Sequence, residues 1–188
     1  MPDRDAPDTT EPEPEPEPEV EPGQTDATAL LIAELAAARQ TIAIAESLTG
    51  GLLAAELIRI PGASRVVNGG VITYNTELKH TLLNVDTSIL NVHGPVHPDV
   101  AKQMASGART LLGISGDRAT IGVSTTGVAG PVAHDGHEPG TAFIGLSMGN
   151  SSWAVAVQVP GDRDTVRARI VHLAVDAVRE LLAREALE

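Results

Sequence analysis

The first segment with residue types that could support a reaction is AESLTGG, at 45–51 of this 188-residue chain. The apolar run TIAIA at 41–45 predicts a buried strand, and a helix is predicted at about 49–59. Ser47 therefore lies between them, facing the unpaired N–H groups of the first helical turn. The N–H groups near 48–51 could stabilise the oxyanion formed when a serine attacks a carbonyl carbon. The alternative is that Ser47 or Thr49 only caps the helix.

Lys79 is a residue that could take the proton of such a serine. It is one of two lysines in a chain whose other eleven Lys or Arg residues are arginines. A buried lysine can lose its proton, whereas an arginine effectively cannot. Tyr74, the only tyrosine, and Asn75 come shortly before Lys79, and Asn75 can cap a short helix that runs through Leu83. The alternative is an ordinary lysine on the surface of that helix.

The segment TTGVAGP at 125–131 follows the predicted strand ATIGVS at 119–124. Small residues such as Gly127, next to Thr126, allow a ligand to approach the backbone closely. The segment matches neither the GxxxxGK phosphate loop nor the GxGxxG dinucleotide motif. The alternative is a tight loop without a ligand.

The segment PGDRDTVR at 160–167 carries two arginines at the predicted start of the last helix. Arg163 and Arg167 are four residues apart and share one helical face. Together with the helix N-terminus they could hold a phosphate group. The alternative is that Asp162 caps the helix and both arginines are solvated.

Other chemistries are disfavoured by what the sequence lacks. There are no cysteines, which excludes disulfides and thiol catalysis. The six histidines are scattered without an HExxH pattern, so we expect neither a metal nor a cofactor. Neither a GxSxG motif nor an SxxK motif at a candidate serine occurs.

The elements that must position these residues alternate along the chain. Helices are predicted at 26–39, 49–59, 75–83 and 99–112 and from Asp162 onward, and strands at 41–45, 66–74 and 119–124. TAFIGLSM and WAVAVQVP then form a predicted hairpin with its turn at Gly149 and Asn150. This order predicts an α/β fold, a three-layer α/β/α sandwich with a mixed sheet.

Composition separates the chain into two parts. Residues 1–24 contain EPEPEPEPEVEP and carry a net charge of −8, which leaves −4 for the rest of the chain. We expect 1–24 to be a disordered acidic tail, either a solvating appendage or a docking segment for a basic partner, and 25–188 to be one domain. The acidic balance argues against nucleic acid as a partner. Without an apolar run of about 18 residues or a secretory signal, we expect a cytoplasmic protein that does not bind membranes.

Together, five segments resemble the CinA carboxy-terminal domain family, known in stand-alone form as nicotinamide-nucleotide amidohydrolase. The resemblance runs from about residue 27 to 185, with the segments in the family's order: AESLTGG, GGVITYNTELKHTLLNV, GPVHPDVAKQMASGAR, VSTTGVAGP and PGDRDTVR. It implies the fold predicted above and hydrolysis of nicotinamide mononucleotide to nicotinate mononucleotide and ammonia. A pyridine mononucleotide is thus the expected substrate, and a homo-oligomer, a dimer, the expected assembly.

The resemblance also implies roles for individual residues. Ser47 would be the nucleophile, Lys79 its base and Tyr74 a hydrogen-bonding assistant. Arg163 would contact the phosphate or the carboxamide side of the substrate. The remaining expected substrate-binding residues are Thr49, Gly50, Gly51, Asn75, Thr126, Gly127 and Arg167.

Two positions depart from the family's pattern. His97 stands where the third segment usually has a small hydroxyl residue. The stretch AHDGHEPGT at 133–141 replaces one that usually contains Lys-Pro-Val-Gly-Thr, and it lacks the lysine. These departures leave open a second reading, a non-catalytic pyridine-nucleotide-binding protein or an interaction protein that acts through its tail, and a third, an amidase for a different small amide.

Overall fold

The computed structural model describes residues 26–185, so the predicted tail at 1–24 lies outside the described residues. The helices are α1 (Ala27–Ala38), α2 (Leu52–Ile58), α3 (Thr76–Leu83), α4 (Thr87–His93), α5 (Pro98–Leu111) and α6 (Arg163–Glu185), with a short 3₁₀ turn at Ala63–Arg65. The strands are β1 (Ile42–Glu46), β2 (Val67–Ile72), β3 (Ile121–Gly127), β4 (Thr141–Met148) and β5 (Ser151–Gln158).

The five strands form one sheet in the order β2-β1-β3-β4-β5. Strand β1 is parallel to both β2 and β3, whereas β3, β4 and β5 are successively antiparallel. The predicted mixed sheet is therefore confirmed, and its parallel part carries the ends of β1 and β3 to the same edge.

Side-chain alternation along β1 divides the core into two layers, because successive residues of a strand point to opposite faces. Ile42 and Ile44 belong to a core shared with α1, α2 and α6, and Ala43 and Ala45 to a second core shared with α3 and α5. The small side chains on the second face let α5 approach closely. A Cβ atom at Gly122 would lie 2.0 Å from a carbonyl oxygen of α5. Helices thus cover both faces, as the predicted three-layer sandwich requires.

Helix starts follow the capping residues that the sequence offers. Asp26 caps α1 by accepting two backbone hydrogen bonds, and Asn75 caps α3. His97 caps α5, because its Nδ1 accepts a hydrogen bond from the N–H of Asp99 at 3.2 Å. The His97 side chain therefore caps the helix in the way that a small hydroxyl side chain could at this position.

The strand bounds differ from the predicted ones by up to three residues, and β3 continues to Gly127 through residues predicted as a loop. Two helices also differ from the prediction. Helix α2 begins at Leu52 rather than 49, because Gly50 and Gly51 adopt φ values of 60° and 101° and form a turn that no helix can contain. The short helix α4 was not predicted. Its seven residues include none that is fully buried, so it lacks a strong apolar pattern, although Asp86 caps it.

Candidate active site

Ser47 lies at the edge of the sheet where β1 and β3 end side by side. Its N–H donates to the carbonyl oxygen of Thr125 in β3 at 2.9 Å, which ties the first residue after β1 to the neighbouring strand. Only 8% of Ser47 is exposed, and that surface faces a cavity. The carboxyl edge of parallel strands is where α/β proteins commonly bind ligands.

Lys79 is completely buried and points its amine at Ser47. Its Nζ donates to Ser47 Oγ at 3.0 Å and to the carbonyl oxygen of Thr73 at 2.6 Å. Burial lowers the pKa of Lys79 from its ordinary value of 10.5 to about 8. Within residues 26–185 no carboxylate forms an ion pair with it, so no countercharge in that range offsets the cost of burying the ammonium. The alternative of an ordinary surface lysine is therefore wrong.

Tyr74 lies at the mouth of the cavity, 63% exposed. Its hydroxyl accepts a hydrogen bond from Arg163 Nη2 at 3.1 Å, and Arg163 Nη1 donates to the carbonyl oxygen of Gly130 at 2.9 Å. Among the described residues, Tyr74 makes no hydrogen bond to Ser47 or Lys79. The tyrosine therefore contacts the arginine at the mouth of the cavity and not the buried serine–lysine pair.

The cavity has a volume of about 470 Å³. Ser47 and Lys79 belong to its lining, and Thr126, Gly127 and the following loop form one wall. Thr126 Oγ1 donates to the carbonyl oxygen of Pro95 at 2.7 Å, which joins that wall to the loop before α5. The complete lining is Ser47, Leu48, Tyr74, Thr76, Lys79, Pro95, Val96, Thr126–Gly130, Val132–His134 and Arg163.

Four expected substrate-binding residues do not line this cavity. Thr49 is buried, and its hydroxyl is hydrogen-bonded to that of Thr125 at 2.7 Å. Asn75 uses its side-chain oxygen to cap α3. Gly50 and Gly51 shape the turn before α2 through their positive φ angles. Their roles are in local structure.

Arg167 is the fifth residue placed outside the cavity. Its Nε donates to the carbonyl oxygen of Leu48 at 3.0 Å and its Nη2 to that of Thr49 at 3.1 Å. Arg163 and Arg167 lie one turn apart on α6, as their spacing predicted, but only Arg163 lines the cavity. The guanidinium of Arg167 is held against the turn and does not line the cavity.

The N–H groups at the start of α2, which the sequence predicted to be unpaired, are hydrogen-bonded within the chain. Glu46, 1% exposed, accepts hydrogen bonds from the N–H groups of Gly51, Leu53 and Ala54 at 2.9, 3.1 and 2.9 Å. The first helical turn is thus occupied by a carboxylate of the chain itself. Glu46 escaped sequence analysis because it lies six residues before the helix, away from the usual capping position.

His134 lines the cavity, although the sequence did not assign it to the site. Paired backbone hydrogen bonds between His134 and His137 close a small hairpin within the insert, and Asp135 and Gly136 form its turn with φ values of 49° and 77°. His134 reaches the cavity lining, so the departure from the family's sequence lies at the site itself. Across residues 26–185, no group of three or more His, Asp or Glu residues is arranged to hold a metal ion.

The fold and the site define an α/β protein whose carboxyl sheet edge carries a buried serine–lysine pair in a cavity. The chain belongs to the CinA C-terminal domain family, whose model matches residues 24–182. It is 44% identical to a CinA-like protein of Frankia casuarinae over 76% of this chain and 32% of that protein. It is 40% identical to a CinA-like protein of Gemmatimonas aurantiaca over 87% of this chain and 37% of that protein. The chain thus spans about a third of the length of these curated relatives.

Solved structures show the same fold. A competence-damaged protein (CinA) superfamily protein from Klebsiella pneumoniae superposes with a TM-score of 0.79 and 31% identity, covering 84% of this chain and 96% of that one. A superfamily protein from Escherichia coli gives a TM-score of 0.77 and 28% identity, covering 82% and 88%. Within the described residues, no helix has both the length and the apolar character needed to cross a membrane.

Proposed function

We propose that this protein is a serine amidohydrolase that converts nicotinamide mononucleotide to nicotinate mononucleotide and ammonia. The observation that supports this most strongly is the contact between Ser47 and Lys79, with 3.0 Å between Oγ and Nζ. A fully buried lysine without a countercharge is costly to the fold, and its lowered pKa makes it able to accept a proton near neutral pH. A role in folding alone does not explain why the amine is directed at a serine that lines a cavity.

The reaction follows covalent acyl transfer. Neutral Lys79 accepts the proton of Ser47 Oγ as that oxygen attacks the carboxamide carbon, giving a tetrahedral oxyanion. The carbon–nitrogen bond then breaks, and the Lys79 ammonium gives its proton to the departing amine, so ammonia leaves. Water then loses a proton to Lys79 and attacks the resulting ester. The ester bond to Ser47 Oγ breaks, the Lys79 ammonium returns its proton to Oγ, and the acid product leaves and ionises to the carboxylate.

The carbonyl oxygen of Thr73 orients the amine for both proton transfers. A neutral lysine has two N–H groups and one lone pair. With one N–H directed at Thr73 O, 2.6 Å away, the lone pair can turn toward Ser47 Oγ. The backbone of the strand-to-helix connection thus fixes which way the base faces.

The cavity fits a charged nucleotide in size and in charge. Its volume of about 470 Å³ lies within the roughly 300–1,000 Å³ common for small-molecule sites. Apart from Lys79, its lining carries two side chains that can be cationic, Arg163 and His134. Arg163 is our candidate for the phosphate, because a guanidinium suits phosphate oxygens and this one is already aimed by Tyr74 and Gly130.

The test is to incubate the pure protein with nicotinamide mononucleotide and to measure ammonia and nicotinate mononucleotide together. We expect equal amounts of both, and none from a folded Ser47→Ala variant. Two comparison substrates are nicotinamide riboside, which lacks the phosphate, and free nicotinamide, which lacks the whole ribosyl phosphate. Binding of the nucleotide without turnover would favour the non-catalytic nucleotide-binding protein, and turnover of another small amide alone would reject this substrate.

A further inference from the structure

The N–H groups at both ends of the turn between Ser47 and α2 are hydrogen-bonded within the chain. Ser47 N–H donates to Thr125, and Leu52 N–H donates to the carbonyl oxygen of Thr49 at 3.3 Å. Glu46 takes the N–H groups of Gly51 and the two residues after Leu52. Within the described residues, only the N–H groups at 48–50 of this turn have no hydrogen-bond acceptor.

Of these three positions, one meets the cavity. Thr49 has no exposed surface, and Gly50 is exposed but does not belong to the lining. Leu48 lines the cavity next to Ser47. Its N–H is thus the one N–H of this turn without an acceptor that belongs to a residue of the cavity lining.

Two charged side chains hold this turn from outside the cavity. Arg167 binds the carbonyl oxygens of Leu48 and Thr49, and Glu46 binds three N–H groups at its far end. Gly50 lies between them, and a Cβ atom there would be 3.3 Å from Arg167 Nη2. A turn with positive φ angles and no regular hydrogen-bond ladder needs such external contacts to keep one shape.

We propose that Leu48 N–H is the oxyanion donor of this site, and that Glu46 and Arg167 are positioning residues that fix it beside Ser47. This inference rests on the proposed serine mechanism but assigns residues that it does not name. An oxyanion donor acts on the transition state and not on the bound substrate. Loosening the turn should therefore lower kcat and leave KM and the pH dependence set by Lys79 nearly unchanged.

The test compares Arg167→Met and Glu46→Gln with matched controls. Arg179→Met removes an arginine from the same helix, paired with Glu34, and Glu56→Gln neutralises a carboxylate of α2 that contacts Arg59. We expect kcat to fall at least about tenfold in both turn variants and in neither control. Arg167→Lys should lose less kcat than Arg167→Met. If Glu46→Gln does not fold, the kcat of Arg167→Met alone tests the proposal. Full kcat in folded turn variants, even with a lower Tm, would show that these residues serve stability alone and overturn the proposal. A raised KM with normal kcat in Arg167→Met would also overturn it, because that is the signature of a phosphate contact.

A second readout separates this proposal from the choice of substrate. A small alkyl fluorophosphonate reacts when Ser47 Oγ forms a bond to phosphorus, fluoride leaves and Lys79 takes the serine proton. The phosphoryl oxygen then occupies the oxyanion position. We expect labelling, followed by intact mass, to slow at least about tenfold in both turn variants. That result would support the proposal even if nicotinamide mononucleotide is not hydrolysed. Equal labelling rates in wild type and variants would overturn it, and an unlabelled wild type would reject both the serine mechanism and this inference.

A direct check replaces the Ser47–Leu48 amide by an ester, which removes only the N–H group. We expect at least about a tenfold loss of kcat and of the labelling rate. Unchanged rates in the folded ester protein would remove Leu48 as the donor.

Discussion

The side-chain amine of Lys79 lies 2.6 Å from the carbonyl oxygen of Thr73, six residues earlier in the chain. This contact spans the junction between β2 and α3 and holds the lysine inward, where no described carboxylate pairs with it. The same amine reaches Ser47 Oγ. The position of one buried amine therefore links the fold of the β2–α3 junction to the chemistry proposed for the sheet edge.

The rate of the reaction should rise with pH. The pKa of Lys79 is lowered by burial to about 8, so below pH 8 most molecules carry the ammonium, which cannot accept the serine proton. We expect kcat/KM to fall about tenfold for each pH unit below 8 and to level off above it. The pH–rate profile of wild type between pH 5.5 and 9.5 tests this. A profile that is flat or falls across this range would contradict neutral Lys79 as the base.

The lowered pKa of Lys79 should also appear in the stability of the protein. The unfolded chain binds this proton more tightly than the folded one, so the free energy of unfolding rises with pH between about 8 and 10.5. Below pH 8 both states are protonated and the cost of the buried charge is fully present. The gain across this window corresponds to about 3 kcal/mol.

Denaturant unfolding of wild type and Lys79→Met at pH 7.5 and 10.5 measures this gain. We expect the difference in unfolding free energy between the two proteins to move in favour of wild type as the pH rises. Lys102→Met is the control, because Lys102 is partly exposed and paired with Asp99. If the difference in unfolding free energy does not change with pH, burial of the Lys79 ammonium does not destabilise the protein.

Local apolar patterns predicted the sheet, its helical layers and the place of Ser47 after β1. The pairing of Lys79 with Ser47 was implied by the family resemblance, because the residues alone also allowed a lysine on the helix surface. The spacing of Arg163 and Arg167 predicted a shared helical face, but only Arg163 lines the cavity. Arg163 lies at the first turn of α6 and reaches the cavity, whereas Arg167 lies one turn further and meets Leu48.

Glu46 and His134 could not be assigned from sequence for a different reason. Their roles depend on how a turn and an insert fold back, through contacts that no regular spacing encodes. The expected dimer and the acidic tail stay predictions.

Arg163 should recognise the phosphate of the substrate. It is aimed by Tyr74 and Gly130 and has remaining guanidinium donors for an anion. We expect Arg163→Met to raise KM for nicotinamide mononucleotide at least about tenfold, and Tyr74→Phe, which removes the hydroxyl, to raise it less. Steady-state kinetics with nicotinamide riboside provide the comparison, because that substrate lacks phosphate. An equal loss on both substrates would place Arg163 on the carboxamide or ribose instead.

The saturated turnover of Lys79→Arg on nicotinamide mononucleotide measures whether Lys79 is the base for Ser47. Arginine keeps the positive charge but does not give up its proton. A thermal melt and the nucleotide dissociation constant establish that the variant is folded and binds. We predict that kcat falls by about a hundredfold or more, while the dissociation constant changes only a few-fold. A folded Lys79→Arg protein that releases ammonia at nearly the wild-type rate would show that Lys79 is not the base and leave Ser47 without one.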